Sequence, residues 1–376
     1  MADELSSAGL NLGIGYGDLF ERFVTDASMP RLLAEIVAAA AKTGTAHEQL
    51  MIGRSRAGRE MVGLRIGSGP LHVSITAGAH SDEPVGPMTA IELAVWLASG
   101  QPDARQFTRD FTFCICAQTN PDGSALNSRW FADPLDPFNY FQNVVREAPG
   151  DDIEFGYPAN GEPALRPENQ AVADFLRPHG PYLFHTSLHG MAFAEGAWFL
   201  ICKEWSNRTQ PLQQQLARLA KSHGFPLHDI ERHGEKGFTR IAPGFCTTPT
   251  STAMRTYFLE RNDATTAAQF RPSSMEFVQS LGGDPLLMVS ELPLFMIMDP
   301  AQRPPDVPLQ RGATAYEHFR EALPAARAAA EHGNLAPAKE LMEKYQLEPV
   351  PLHKQVTLQA QMILAALAFL QSRTAT

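Results

Sequence analysis

Two runs of β-formers constrain this chain more than any other feature. "LHVSITA", Leu71 to Ala77, and "FTFCICAQ", Phe111 to Gln118, are apolar enough to be central strands of a sheet covered on both faces. Between them "PMTAIELAVWL", Pro87 to Leu97, reads as an amphipathic helix with a proline in its first turn. Strand, helix and strand in that order form a crossover. The alternation continues with strands at "YLFHTSLHG" (Tyr182 to Gly190), "GAWFLIC" and "DPLLMVSE", and helices at "PENQAVADFL" (Pro167 to Leu176) and "RTQPLQQQLARLAKSHG", the latter on the surface. Such alternation predicts α/β layering. Upstream, Met29 to Ala41 is amphipathic, and "EQLMIGRSRAGREMVGLRIG" reads as two short strands around an Arg/Gly turn. Roughly Asn120 to Arg166 reads as irregular, and loops that long inside a compact domain are usually functional. Beyond about Pro304 the residues turn to Ala, Glu and Lys with helical periodicity. The expected organisation is a main domain over residues 1–303 and a helical extension over 304–376 packed on it.

Composition removes several classes of function. A formal net charge of -10, with no Lys/Arg stripe, argues against a nucleic-acid partner. The start "MADELSSAGLNLGIGYG" is acidic where a secretory signal is basic and lacks its apolar core. The longest apolar run near the end, "MILAALAFL", falls far short of the ~20 residues that span a bilayer. Cys114, Cys116, Cys202 and Cys246 make no C-x-x-C pair, so they read as small core residues in a reducing cytoplasm.

The turn after the first central strand, "GAHSDEPVG", carries candidate chemistry. His80 and Glu83 are three apart, so in a helical turn an imidazole and a carboxylate converge on one point. Open α/β sheets bind ligands at the carboxyl ends of their strands, where this turn lies. A catalytic zinc site needs a third protein ligand and an open position for water. His189, at the end of the "TSLHG" strand, falls on the same sheet edge. His185, four residues earlier, competes as a candidate but is placed deeper in the sheet. His223, His228 and His233 recur every five residues in a polar stretch and are read as surface residues.

With these residues in place the sequence resembles the carboxypeptidase A-like zinc peptidases. The resemblance rests on "GRSRAGREMVGLRIG", "AGAHSDEPVG", "NPDG" (Asn120 to Gly123), "SLHG" (Ser187 to Gly190) and "VSELP" (Val289 to Pro293), in that order over roughly residues 15–300. It implies a mixed, largely parallel central sheet with helices on both faces. It also implies one zinc ion held by His80, Glu83 and His189, with Glu291 as general base. A metal-bound water needs a carboxylate to take its proton and pass it to the leaving nitrogen. The apolar flanks of Glu291, "LLMV" and "LPLF", make a raised pKa plausible. The resemblance further implies Arg129 beside the developing oxyanion, Arg146 with Asn143 as the clamp for a substrate carboxylate, and Arg59 near the cleft. Asn143 stands three residues before Arg146, whereas the family pattern puts the two side by side. Near Ala268, where the family carries a tyrosine, stand Phe270 and Arg271. In "SSMEF", Met275 suggests an apolar specificity pocket and Glu276 a polar one.

The expected partner is a peptide or acyl-amino-acid substrate with a free carboxylate, without nucleic acid or membrane. The expected activity is that of a metallocarboxypeptidase. An amidase or deacylase of small acyl-amino acids or cell-wall peptides is the alternative, and a catalytically silent zinc-binding or interaction protein is the alternative of another class.

Overall fold

Leu71–Ala77 and Phe111–Cys116 lie side by side in parallel, Val73 opposite Phe113 and Ile75 opposite Ile115. The protein is described here from a computed structural model covering residues 23–148, 151, 153–159, 161–298 and 315–374. The acidic start and the boundary expected near Pro304 lie outside these residues.

In chain order the strands are β1 (His47–Arg54), β2 (Glu60–Gly67), β3 (Leu71–Ala77), β4 (Phe111–Cys116), β5 (Phe184–Leu188), β6 (Met191–Ala194), β7 (Trp198–Ile201), β8 (Arg240–Ala242), β9 (Phe245–Thr247), β10 (Leu286–Glu291), β11 (Pro293–Met296) and β12 (Glu348–Pro349). Nine of them form one sheet in the order β1-β2-β4-β3-β5-β10-β7-β9-β8. Its centre, β4-β3-β5-β10, is parallel. On one side β1, β2 and β4 run antiparallel to one another in turn, and on the other β10 meets β7 and β9 meets β8 in antiparallel pairs. A small second sheet, β12-β11-β6, carries the chain away from the ends of β5 and β10. The mixed, centrally parallel α/β sheet expected from the sequence is present.

The helices that bear on function are α1 (Met29–Thr43), α2 (Val85–Ala98), α3 (Pro121–Phe131), α4 (Pro137–Asn143), α5 (Pro167–Leu176), α6 (Gln210–Ser222), α7 (Ser274–Ser280), α8 (Ala315–Glu331), α9 (Ala336–Lys344) and α10 (Leu352–Thr374). Two of them replace the first half of the stretch expected to be irregular. Asn120 caps α3, its Oδ1 accepting from Gly123 N at 3.0 Å, and Asp136 caps α4 through Phe138 N at 2.8 Å. Each cap is followed by proline at the first helical position, whose missing N–H costs nothing there. The signal was local, in the Asn-Pro and Asp-Pro pairs, and the surrounding aromatic and acidic residues masked it.

Helix α2 also departs from expectation, since every one of its residues is buried. It lies against the sheet and is covered in turn by α1 and α10, so no face is left for water. His228 is likewise fully buried rather than exposed. Its ring lies 4.5 Å from that of Tyr316 at the start of α8, a cover 88 positions away that no local pattern reports. Of its neighbours in the five-residue repeat, His223 is half-buried and bonded to Gln361 Oε1 at 2.7 Å, and His233 is exposed. His185 sits within β5, fully buried, with Nδ1 2.8 Å from Ser74 Oγ, as a structural residue. All four cysteines are free and buried. No helix among the described residues is long and apolar enough to cross a membrane.

One carboxylate inside α2 has a measurable consequence. Glu92 is 1% exposed, and its Oε1 has no hydrogen-bond partner. Burial pushes its carboxyl up to about 7 from an ordinary 4.5. A raised acid leaves the fold unpenalised below the unfolded value and loses stability as pH rises from there through the folded value, on the order of 3 kcal/mol in all. Glu92→Gln is therefore expected to raise the melting temperature at pH 8 and to change it little at pH 4.5. Equal shifts at both pH values in a thermal melt would show that the charge is not the cause.

Candidate metal centre and active-site cavity

The register of three parallel strands builds the site. Ala77 at the end of β3 is opposite Leu188 at the end of β5, and Leu188 is opposite Ser290 in β10. Neighbouring strands lie about 4.8 Å apart, so His80 and His189, just beyond the ends of β3 and β5, and Glu291, the last residue of β10, emerge at one sheet edge. Gly78, at φ +71°, starts the turn that brings His80 back over that edge, a conformation natural to glycine. Gly86 lets α2 approach closely, because a Cβ there would lie 2.4 Å from the carbonyl oxygen of Leu188.

The side chains meet. His80 Nδ1 is 2.8 Å from Glu83 Oε1, His189 Nδ1 is 2.8 Å from Glu83 Oε2, and the two Nδ1 atoms are 3.1 Å apart. Two imidazole lone pairs cannot face each other at that distance without a proton or a cation among them. Two nitrogens and a carboxylate oxygen are also the donor set of a three-ligand catalytic zinc site. Among the described residues these are the one group of histidine, cysteine and acidic side chains arranged to hold a metal ion. Burial pushes Glu83 up, yet His80, Arg146 and His189 together hold it well below the usual carboxylate range.

A second layer fixes these groups. His189 Nε2 lies 3.1 Å from Glu154 Oε2, and Glu154 also accepts from Ser187 Oγ at 3.1 Å and Ser274 Oγ at 3.0 Å. Against the upward push of burial, His189 and Ser274 keep Glu154 below the ordinary carboxylate value. With Nε2–H donated to Glu154, His189 presents Nδ1 as the free lone pair. The segment bearing Glu154 lacks regular structure but is tied down: Asn169 in α5 donates to Ile153 O at 2.6 Å, and Tyr157 N to Pro272 O at 3.0 Å. From the far side Gln359 of α10 donates to His189 O at 2.6 Å while accepting from Thr89 Oγ1 of α2 at 2.7 Å. Neither Glu154 nor Gln359 stood out in the sequence, because each lies far along the chain from the ligands with no fixed spacing to them.

The cluster opens onto a cavity of about 410 Å³. Its wall is largely apolar, with Phe155, Leu200, Met254, Phe258, Phe270 and Met275. The ambiguity at Met275 and Glu276 is resolved by hydrogen bonding. Met275 lines the cavity, whereas Glu276 forms a capping box with Ser273 at the start of α7 and binds Ser251 through N and Oγ.

A family profile described as zinc carboxypeptidase matches residues 32–222, just over half of the 376-residue chain. The chain belongs to the zinc carboxypeptidase family. Among solved structures it is similar to a metallo-carboxypeptidase from Burkholderia cenocepacia, at 16% identity and a TM-score of 0.49 over 90% of this chain and 68% of that one. It is also similar to the carboxypeptidase A from Helicoverpa armigera, at 13% identity and a TM-score of 0.47 over 98% and 80% of the two chains. A metallo-carboxypeptidase from Pseudomonas aeruginosa, solved in complex with (2-guanidinoethylmercapto)succinic acid, matches at 16% identity and a TM-score of 0.43 over 89% and 68%.

Of the other residues picked out by resemblance to zinc carboxypeptidases, the structure brings two to the cavity. Glu291 lines it, and its Oε2 is buried without a hydrogen-bond partner. Burial, reinforced by Glu83, raises its carboxyl well above the usual range. Arg146 lines it too, with Nη1 2.6 Å from Asp82 Oδ1 and 2.9 Å from Glu83 Oε1. Three others lie away from it. Arg129 is exposed on α3, next to the buried Trp130, and is not part of the cavity wall. Asn143 turns back on α4 to bond Asn139 O at 3.0 Å. Arg59 pairs with Asp122 at 2.8 Å and Asp26 at 3.2 Å, joining the β1–β2 turn to the start of α3.

A zinc ion held by His80, Glu83 and His189 would depend on the Glu154 hydrogen bond for the orientation of His189. Removing such a partner typically costs about 10–100-fold in metal affinity. Glu154→Ala is expected to weaken zinc binding by that factor in competition with a chromogenic chelator. Unchanged affinity would remove Glu154 from the site.

Proposed function

We propose that this chain is a zinc-dependent hydrolase cleaving an amide bond next to a free carboxylate, with His80, Glu83 and His189 holding one zinc ion and Glu291 as general base. The observation that carries the reading is the position of Glu291: a carboxylate with an unpartnered buried oxygen, in the same cavity as a ready donor set for zinc. Zinc bound there supplies Lewis acidity and acidifies a water. Glu291 is placed to take a proton from the attacking water and to return it to the amide nitrogen, so that a neutral amine leaves.

The oxyanion that forms requires a fixed positive charge. Arg146 suits this role in place of Arg129, since it stands beside Glu83 and is held there by Asp82. Tyr140 fixes Asp82 in turn, its hydroxyl 3.0 Å from Oδ2, and Arg327 of α8 donates to that hydroxyl at 2.9 Å. The apolar wall favours an apolar residue on the leaving side. Peptides and N-acyl amino acids both present such a residue, so carboxypeptidase and small-substrate deacylase share this geometry.

Turnover of an N-acylated dipeptide is expected to be lost on chelation and restored by zinc. Glu291→Gln should lower kcat by about 10²–10⁴-fold, the usual contribution of a general base, with zinc content and KM nearly unchanged. Retained turnover in Glu291→Gln, read by mass spectrometry of the products, would exclude it as the base. Arg146→Ala should lower kcat by about 10²–10³-fold, and a change confined to KM would return it to substrate clamping.

A further inference from the structure

With Arg146 assigned above to the oxyanion, the carboxylate of the substrate calls for another cation. Two other cations line the cavity, Arg232 and Lys236. Arg232 pairs with Glu235 at 3.2 Å through Nη2, while its Nε is buried with no hydrogen-bond partner among the described residues. Lys236 forms no ion pair among the described residues. Its ammonium rests only on ring faces, 4.7 Å from the centroid of Tyr257 and 5.9 Å from that of Phe258.

The charges around Lys236 are unbalanced. Burial and Arg232 hold its pKa below the ordinary lysine value, with Arg320 and Arg261 acting in the same sense and Glu235 against them. The carboxylates that share the cavity are otherwise engaged. Glu147 accepts from Ser81 Oγ at 2.6 Å, Glu154 is bound by His189, and Glu291 stands beside Glu83. A chain of net charge -10 thus places two cations, only one of them in an ion pair among the described residues, on the wall of an apolar cavity. The backbone is bent to do so. Lys236 has φ +56° between Glu235 and a Gly237 at φ +89°, and His233 before them has φ +51°. Long side chains adopt this region seldom, and such residues cluster at ligand sites.

We infer that Arg232 and Lys236 form the anion site of this cavity and hold a carboxylate on the amino acid at the leaving side of the scissile amide. The inference rests on the hydrolase reading above for the substrate, but the anion site stands on its own geometry. The carboxylate is either the terminal one or a side-chain one, and both would meet the same pair of donors. The apolar wall accepts the rest of that residue, so the ligand has an apolar body and one anionic end.

Binding tests the site without turnover. By titration calorimetry on the full chain, with and without zinc, 3-phenylpropionate should bind and 3-phenylpropionamide should bind at least tenfold more weakly. Losing charge-assisted hydrogen bonds costs about 10–100-fold, so Lys236→Met and Arg232→Gln should each weaken the acid by such a factor and leave the amide unaffected. Equal binding of acid and amide, or an unaltered acid affinity in both variants, overturns the proposal. Turnover then separates the two sources. If Lys236→Met raises KM for an N-acyl dipeptide ending in phenylalanine but not for its C-terminal amide, the terminal carboxylate is the ligand. If the effect instead follows glutamate against glutamine at the last position, the side-chain carboxylate is. Failure of zinc-loaded protein to hydrolyse any of these substrates, with the acid still bound through Lys236, would sink the hydrolase reading and leave the anion site standing.

Discussion

The lateral register of β3, β5 and β10 is the constraint on which the site depends. Ala77, Leu188 and Ser290 stand in one row across three parallel strands, and a strand slipped by a single residue would turn every side chain to the opposite face. That row is held by the burial of both sheet faces: α2 covers one side, with α10 over it, and Val73, Ile75 and Phe113 are fully buried. His80 and His189 sit three and one residues beyond strand ends whose positions the whole core determines, with Glu83 in the same turn as His80, which is how side chains more than a hundred positions apart come within hydrogen-bond distance.

A buried group of this polarity has to be satisfied from several directions at once. Glu83 is met by both histidines, by Arg146 and by Gly190 N, and Glu154 by His189, Ser187 and Ser274. These partners come from β5, the irregular segment after α4, the start of α7 and the turn before α2. The C-terminal helices contribute as well, Gln359 of α10 to the backbone of His189 and Arg327 of α8 to Tyr140. The C-terminal region, read from the sequence as helical packing alone, supplies polar contacts to the centre of the site.

What was legible in the sequence follows from what is local. The central strands, the turn bearing His80 and Glu83, and the strand ends at His189 and Glu291 are each specified within a few residues, by apolar runs and by glycine and proline. The helices α3 and α4 were legible only to a reader who weighed Asn-Pro and Asp-Pro caps above composition. Groups set by distant packing were not legible. His228 lies in a polar stretch and becomes core only because α8 covers it, and α2 loses its solvent face only because α10 lies on it. Arg129 and Arg146 are both arginines at plausible distance from "NPDG", and only the three-dimensional path of the segment after α4 separates them. Lys236 carried no sequence signal, since its lack of an ion pair among the described residues shows only in three dimensions.

The three carboxylates of the site differ through their neighbours. Glu83 and Glu154 each touch at least one imidazole and are held ionised in spite of burial. Glu291, at the end of β10, has no cationic hydrogen-bond partner, and burial together with the charge of Glu83 pushes it the other way. Carboxyl groups driven apart in this manner are suited to different chemical roles, as permanent anion or as proton exchanger. A divalent cation among His80, Glu83 and His189 would offset the negative charge that opposes ionisation of Glu291. Arg146, touching Glu83 on one side and the cavity on the other, couples in the same sense. The His80, Glu83 and His189 cluster and Glu291 are thus coupled electrostatically, both set by the row of strand ends beneath them.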